Sequence, residues 1–274
     1  ILFDSISDKE RLALIRLIKH RLRNPQSYVT IIGETSTGKS SLINSLFQRQ
    51  LLPVSAPPTT AIVTHVACLD IAEDKYFAIY RDATQDAISR GKFVSLSVSP
   101  NEERDLLRLQ VRAKPVETHF YGLNIFDTPG YNSLLAEHEE VLRSFLPQSD
   151  VIIFVVTYRT GFGSTDKEQT QDLLDVVFSS TEHVDEIPII LVVNKSPAAV
   201  DENDNRLREI LSNVHDSIHN IPKLVLVDHA SAPENGDQSE NSAEHPIPNA
   251  NELWKEVAGI VEKPEMQIRV KEKL

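Results

Sequence analysis

Between Ile31 and Phe47 the chain reads IIGETSTGKSSLINSLF, and no other stretch constrains the possible folds as strongly. Only nine glycines occur in 274 residues, yet Gly33 and Gly38 stand close together here and Lys39 and Ser40 follow at once. The preceding segment, SYVTIIG, is β-branched and apolar, whereas Leu42, Ile43, Leu46 and Phe47 recur at helical spacing. A strand, a glycine loop and a helix in that order turn successive backbone N–H groups toward one point, where the positive end of the helix dipole also lies. Gly33, Glu34, Thr35, Ser36, Thr37, Gly38, Lys39 and Ser40 thus match the phosphate-loop pattern G-x-x-x-x-G-K-[ST], and with Ser41 behind them are the expected nucleotide-binding residues. In such a loop Lys39 reaches the β- and γ-phosphates of a nucleotide and the Ser40 hydroxyl ligates Mg²⁺.

Further apolar runs predict strands near Ile62 to Cys68, Tyr76 to Tyr80, Leu123 to Phe126, Val151 to Thr157, Ile187 to Val193 and Leu224 to Val227. Between the later runs lie helical patterns at Glu139 to Leu146, at Thr165 to Phe178 behind a Thr165-x-x-Glu168 capping box, and through Leu207, Ile210, Leu211, Val214 and Ile218. Continuous rather than alternating apolar strands, interleaved with helices, predict an α/β fold. Its central sheet is mostly parallel with helices on both faces, and its ligand site lies at the carboxyl ends of the strands. A capping box Ser7-x-x-Glu10 followed by Leu12, Ile15, Ile18 and Leu22 predicts an amphipathic helix ahead of the first strand. Leu253, Val257, Ile260 and Val261 share one face of a last helix. Asp70 to Lys114 is less regular and reads as an insertion with its own short helix near Glu102 to Leu109. The polar, acidic stretch from Ala232 to Asn251 reads as a mobile surface loop.

A second chemical signal follows the strand at Leu123. LNIFDTPG places Asp127 at a strand end and Gly130 three residues on, where phosphate-loop hydrolases hold Mg²⁺ with an Asp and sense the γ-phosphate through a Gly N–H. Between the two motifs, LLPVSAPPTTAIVTHV offers Thr60, with Thr59 as the alternative, to complete the metal shell and place the attacking water from a loop that relaxes when the γ-phosphate leaves. The net charge of −12 supplies no global field for nucleic acid, and nucleic acid is not an expected partner. VIIFVV and IPIILVV are too short to cross a bilayer as helices. A single cysteine, Cys68, excludes an internal disulfide and fits a reducing compartment. Nine histidines show no metal-binding spacing, and His65 reads as a structural or exposed strand residue. The start at Ile1, without Met or a leader pattern, leads us to expect part of a longer protein.

Taken together, GETSTGKSSLINSLF, LLPVSAPPTTAIVT and DTPGYNS resemble the GTPase domain of the dynamin superfamily, most of all bacterial dynamin-like proteins and mitofusins. The resemblance implies a phosphate-loop GTPase fold with flanking terminal helices. It implies a flanking, neck-like helix over residues 1–26, a nucleotide-binding domain over 27–248, and a C-terminal helix and tail over 249–274 leading toward a stalk. GTP, GDP and Mg²⁺ are the expected ligands. A monovalent cation, together with Thr35 and Ser36, would replace the water-orienting Gln whose usual position Tyr131 fills. Dimerisation through the nucleotide face and coupling of hydrolysis to membrane remodelling are also implied, in a cytoplasmic protein that meets a membrane peripherally through regions outside these residues.

Asn194 and Lys195 resemble the start of the family's base-reading [NT]-K-x-D motif, but Pro197 stands at the carboxylate position. Asp201 and Asp204 follow as replacements that nothing in the sequence requires, and Ser231 and Ala232 resemble the last base-contacting loop. Two other readings therefore stay open: a nucleotide-dependent binding switch with little hydrolysis, and an ATP-using relative.

Overall fold

A computed structural model describes residues 26–54, 62–100, 103, 105–130, 148–163, 167–168, 187–197, 200–201, 203–216, 223–227 and 249–263. In chain order these form β1 (Ser27–Gly33), α1 (Lys39–Phe47), β2 (Thr64–Cys68), β3 (Lys75–Tyr80), β4 (Gln85–Ile88), α2 (Arg90–Val98), β5 (Leu106–Ala113), a 3₁₀ turn (Thr118–Phe120) and β6 (Leu123–Asp127). They continue with β7 (Val151–Thr157), β8 (Ile189–Asn194), α3 (Asn205–His215), β9 (Lys223–Val227) and α4 (Asn251–Val261). The helices expected at Ser7 to Leu22 and Glu139 to Leu146 lie outside the described residues. So does the one expected at Thr165 to Phe178, save for Lys167 and Glu168.

All nine strands join one sheet in the order β4-β3-β5-β2-β6-β1-β7-β8-β9. From β6 to β9 every neighbouring pair is parallel, as the continuous apolar runs require. The sheet is mixed beyond that point: β2 runs antiparallel to β6 and parallel to β5, while β3 is antiparallel to both β5 and β4. The chain leaves β1 with β6 on one side and β7 on the other, so the phosphate loop emerges at the point where the strand order reverses.

Alternate residues of the central strands feed opposite layers. Ile31 joins a core with Leu42, Ile43, Leu46 and Phe47 of α1, Phe93 and Leu96 of α2, and Leu253, Trp254 and Val257 of α4. Ile32 instead joins Phe154, Leu191 and Val193 beneath Leu207, Ile210 and Val214 of α3. Each of these fully buried side chains contributes about 1.5–3 kcal/mol, so residues on both faces hold β1 rigidly beneath the loop. The only tryptophan, Trp254, also donates its indole N–H to Ser45 Oγ at 2.9 Å and thereby ties α4 to α1.

The region from Asp70 to Lys114 departs from expectation. No helix spans Glu102 to Leu109; Leu106–Ala113 is strand β5, in which Leu109, Val111 and Ala113 are buried on one face. The helix lies earlier, at Arg90–Val98, where the Ser89 hydroxyl caps the amide of Lys92. Pairing with β2 and β3 decides the matter, because the period-two apolar pattern of β5 is satisfied only within a sheet.

On the opposite face β2, β5 and β6 carry a directional chain of hydrogen bonds. Arg112 donates to Gln110 Oε1, Gln110 to His65 Nδ1, His65 Nε2 to Asn124 Oδ1, and Asn124 to Gln26 Oε1. Its donors and acceptors fix the Nε2–H tautomer of His65, which also stacks on Phe126 with ring centroids 4.8 Å apart. His65 is thus buried and structural.

Candidate nucleotide-binding site

Three strand ends and one helix start converge at the carboxyl edge of the sheet. At Gly33, β1 lies so close to β7 that an added Cβ would collide with the Val155 carbonyl oxygen. Gly38 adopts φ 95° and ψ 23°, the left-handed conformation open to glycine at little cost, and forms the N-cap of α1 without a side-chain hydrogen bond. An α-helix leaves the N–H groups of its first turn without intrahelical acceptors, so this end of α1 faces the loop as an anion seat. Ser36 is also left-handed (φ 65°), and Thr37 folds inward with its hydroxyl donating to Glu34 O at 2.9 Å.

Lys39 crosses this loop from beneath. Its side chain is 6% exposed, and Nζ donates to the carbonyls of Gly33 at 2.9 Å and Glu34 at 2.8 Å. Burial lowers its pKa to about 8, a shift that Asp127 and Glu34 partly oppose. Opposite it, Asp127 ends β6 and is 1% exposed. Its Oδ2 accepts the Ser40 hydroxyl at 2.6 Å, whereas Oδ1 has no hydrogen-bond partner among the described residues. Burial raises the Asp127 pKa to about 6, against the pull of the Ser40 hydroxyl and the Lys39 charge. A buried carboxylate oxygen without a donor, next to a serine hydroxyl, is a hard-oxygen pair that fits Mg²⁺.

The remaining motif residues lock the loop from both sides. The backbone of Gly130 passes so close to Thr35 that a Cβ would overlap the Thr35 amide nitrogen and hydroxyl. Asn194, wholly buried at the end of β8, donates to Thr37 O at 2.7 Å and accepts from the Lys195 amide at 2.9 Å. Lys195 is exposed, adopts φ 57°, and donates from Nζ to Ser36 O at 3.0 Å. Sequence reasoning missed Thr128, which is buried and donates to Ile31 O at 2.7 Å, fastening the DTPG turn to β1. Only the position of Thr128 within DTPG hinted at this role.

Toward the base end the two replacement carboxylates are engaged elsewhere. Asp204 caps α3 through the Leu207 amide at 2.8 Å and receives the Tyr158 hydroxyl at 3.0 Å on both oxygens. Asp201 accepts the Asn203 amide at 2.9 Å. Bending of Asp204 into the base site is therefore corrected to a helix-capping role, because that bend would cost α3 its cap. Thr59, Thr60, Tyr131, Ser231 and Ala232 lie outside the described residues.

Residues 29–196, more than half of the chain, match the sequence model of the Dynamin family. The chain belongs to this family. It carries a dynamin-family GTPase domain, and the loop of Gly33 to Ser40, Asp127 and Asn194 all fall within the matched residues. Among curated proteins it is 25% identical over 209 residues to an uncharacterized protein in the xynA 3′ region of Caldicellulosiruptor sp., covering 75% of this chain and 48% of that one. It is 24% identical over 193 residues to the probable chloroplastic transmembrane GTPase FZO-like of Arabidopsis thaliana (70% and 17%). Over 165 residues it is 26% identical to dynamin-like protein A of Bacillus subtilis (55% and 12%). The chain thus spans about half or less of the length of these relatives. Its fold is similar to that of a solved oligomerised bacterial dynamin pair, with TM-score 0.64 and 15% identity, covering 96% of this chain and 42% of that one. Among the described residues no helix is long and apolar enough to cross a membrane.

Proposed function

We propose that this domain binds GTP with Mg²⁺ and hydrolyses it, and that dimerisation through the nucleotide face stimulates hydrolysis. The observation that carries this reading is the cluster of Lys39, Ser40 and Asp127 at the switch point of the sheet, with one Asp127 oxygen lacking a partner among the described residues. Ser40 and Asp127 would hold Mg²⁺, which when bound neutralises charge on the β- and γ-phosphate oxygens.

Lys39 would exchange two neutral carbonyl acceptors for phosphate oxygens, forming shorter, charge-assisted hydrogen bonds. The α1 N-terminus and the loop amides stabilise the anion, and the Gly130 backbone beside Thr35 senses whether the γ-phosphate is present. No lone base is required, because phosphoryl transfer depends on positioning and charge stabilisation. Thr35 and Ser36, with Thr60 and a monovalent cation, complete the proposed catalytic set. Residues 1–26 and 249–274 act as neck-like segments around the 27–248 domain. They carry the conformational change toward regions that remodel a membrane, which the protein meets peripherally from the cytoplasm.

Lys39→Ala tests the assignment: turnover should fall to background in a folded protein, and an unchanged rate would overturn it. Wild-type GTP hydrolysis per molecule should rise with protein concentration. A concentration-independent, near-zero rate would instead favour a nucleotide-dependent binding switch. Pro197 supports a second reading, an ATP-using relative, which predicts that ADP competes as well as GDP.

A further inference from the structure

Resting on the guanine-nucleotide reading above, we propose that the base end of this site does not read the purine 2-amino group, so that inosine nucleotides bind as well as guanosine nucleotides. A carboxylate at position 197 would accept from both guanine N1–H and the 2-amino group. Proline has no side-chain acceptor, and here it is exposed with its carbonyl accepting the Val200 amide at 3.1 Å.

Among the described residues, the neighbours of Pro197 are committed to other partners. Asn194 spans Thr37 O and the Lys195 amide; Lys195 Nζ, itself a donor, holds Ser36 O. Ser196 is buried, with its amide donating to Val227 O at 3.1 Å and its hydroxyl to Val193 O at 2.8 Å. Asp201 folds onto the Asn203 amide, and both oxygens of Asp204 are taken by Tyr158 and the α3 cap. The loop therefore retains the Asn-Lys brace of the phosphate seat, while position 197 itself carries no side-chain acceptor for the base edge. Hypoxanthine differs from guanine only by lacking the 2-amino group, so it loses nothing here. Xanthine, whose 2-oxo group a carboxylate would repel, meets no such repulsion.

A hydrogen bond to a charged acceptor is worth about 10- to 100-fold in affinity. Its presence or absence is thus readable by calorimetric titration of the whole chain with GDP, IDP, XDP and ADP in Mg²⁺. Wild type should bind GDP and IDP within about threefold of each other. Pro197→Asp should weaken IDP and XDP at least about tenfold relative to GDP. A wild-type preference for GDP over IDP of about tenfold or more would overturn the proposal and place a 2-amino acceptor elsewhere in the chain. An unselective wild type whose Pro197→Asp variant folds and binds GDP yet gains no selectivity would overturn residue 197 as the determinant. If no nucleoside diphosphate binds, the nucleotide-site reading falls and this inference with it, a result distinct from tight GDP binding with weak IDP binding.

Discussion

Replacing Asp127 with Asn should make the nucleotide-free protein more stable while it loses function. The Asp127 pKa lies at about 6 rather than 3.8 because burial penalises the carboxylate. That difference corresponds to about 3 kcal/mol that the fold forgoes once the group is ionised above pH 6. Asparagine keeps the shape and can still accept the Ser40 hydroxyl, which now meets Oδ2 at 2.6 Å. Against the removed charge stands an amide NH₂ placed where Oδ1 has no partner among the described residues; the lost attraction to Lys39 is already contained in the net pKa. The unsatisfied donor alone costs about 1–2 kcal/mol. The net gain is about 1 kcal/mol, or a melting temperature higher by about 2–4 °C for a chain of this size.

The pH dependence gives an independent check. For an acid whose folded pKa is raised, the folded state binds the extra proton between the two pKa values. The stability due to Asp127 is therefore complete below about 3.8 and lost as pH rises through about 6. Wild-type melting temperature should thus fall relative to Asp127→Asn between about pH 4 and 6 and run parallel to it above, a window below the Lys39 pKa of about 8. Trp254 fluorescence and circular dichroism without Mg²⁺ report unfolding, and titration of GDP with Mg²⁺ should show affinity reduced at least about tenfold. A variant that melts several degrees below wild type at pH 7, or that keeps the wild-type pH slope, would refute the reasoning.

Two further substitutions probe the bracing of the loop. In Gly130→Ala the new methyl meets the Thr35 backbone, and overpacking of this kind costs about 1–3 kcal/mol. The melting temperature should fall by about 2–10 °C and, because the strain falls at the phosphate seat, GDP affinity about tenfold; wild-type values of both would contradict the contact. Asn194→Ala strands the buried Thr37 O and removes the acceptor of the part-buried Lys195 amide, and should cost about 1–3 kcal/mol. It should lower both melting temperature and nucleotide affinity, measured by calorimetry, and unchanged values would remove Asn194 as a brace.

Strands buried on both faces were legible because their apolar runs are continuous: Val151–Thr157 was predicted to the residue. β5 was not, because Leu106–Ala113 carries Arg108, Gln110 and Arg112 among its apolar residues; Gln110 bonds His65 of β2 and Arg112 lies over the Phe77 ring of β3, contacts that form only when those strands lie alongside. α2 was also obscure, since Phe93 and Leu96 are its main apolar anchors while Val94 and Val98 face solvent. At the site the phosphate loop was readable because contiguous backbone does its work. The bond of Thr128 to Ile31 and the bracing of Thr37 by Asn194 depend on which strands are neighbours, a fact of topology that local sequence does not encode.

Lys39 and Asp127 show why such a site favours one kind of ligand. Burial displaces both pKa values toward neutrality, the lysine down to about 8 and the aspartate up to about 6, so each group is held in a charged state that its surroundings solvate poorly. An anion alone would relieve Lys39 but repel Asp127; a cation alone would do the reverse. A polyphosphate carrying a divalent cation relieves both together, and the loop is already fixed to receive it by Asn194, Thr128 and the close approach of Gly130 to Thr35. With the loop preorganised, little binding energy is lost to ordering it. Paired ions should accordingly bind cooperatively here: Mg²⁺ should strengthen triphosphate binding in wild type and much less so once Asp127 is neutral.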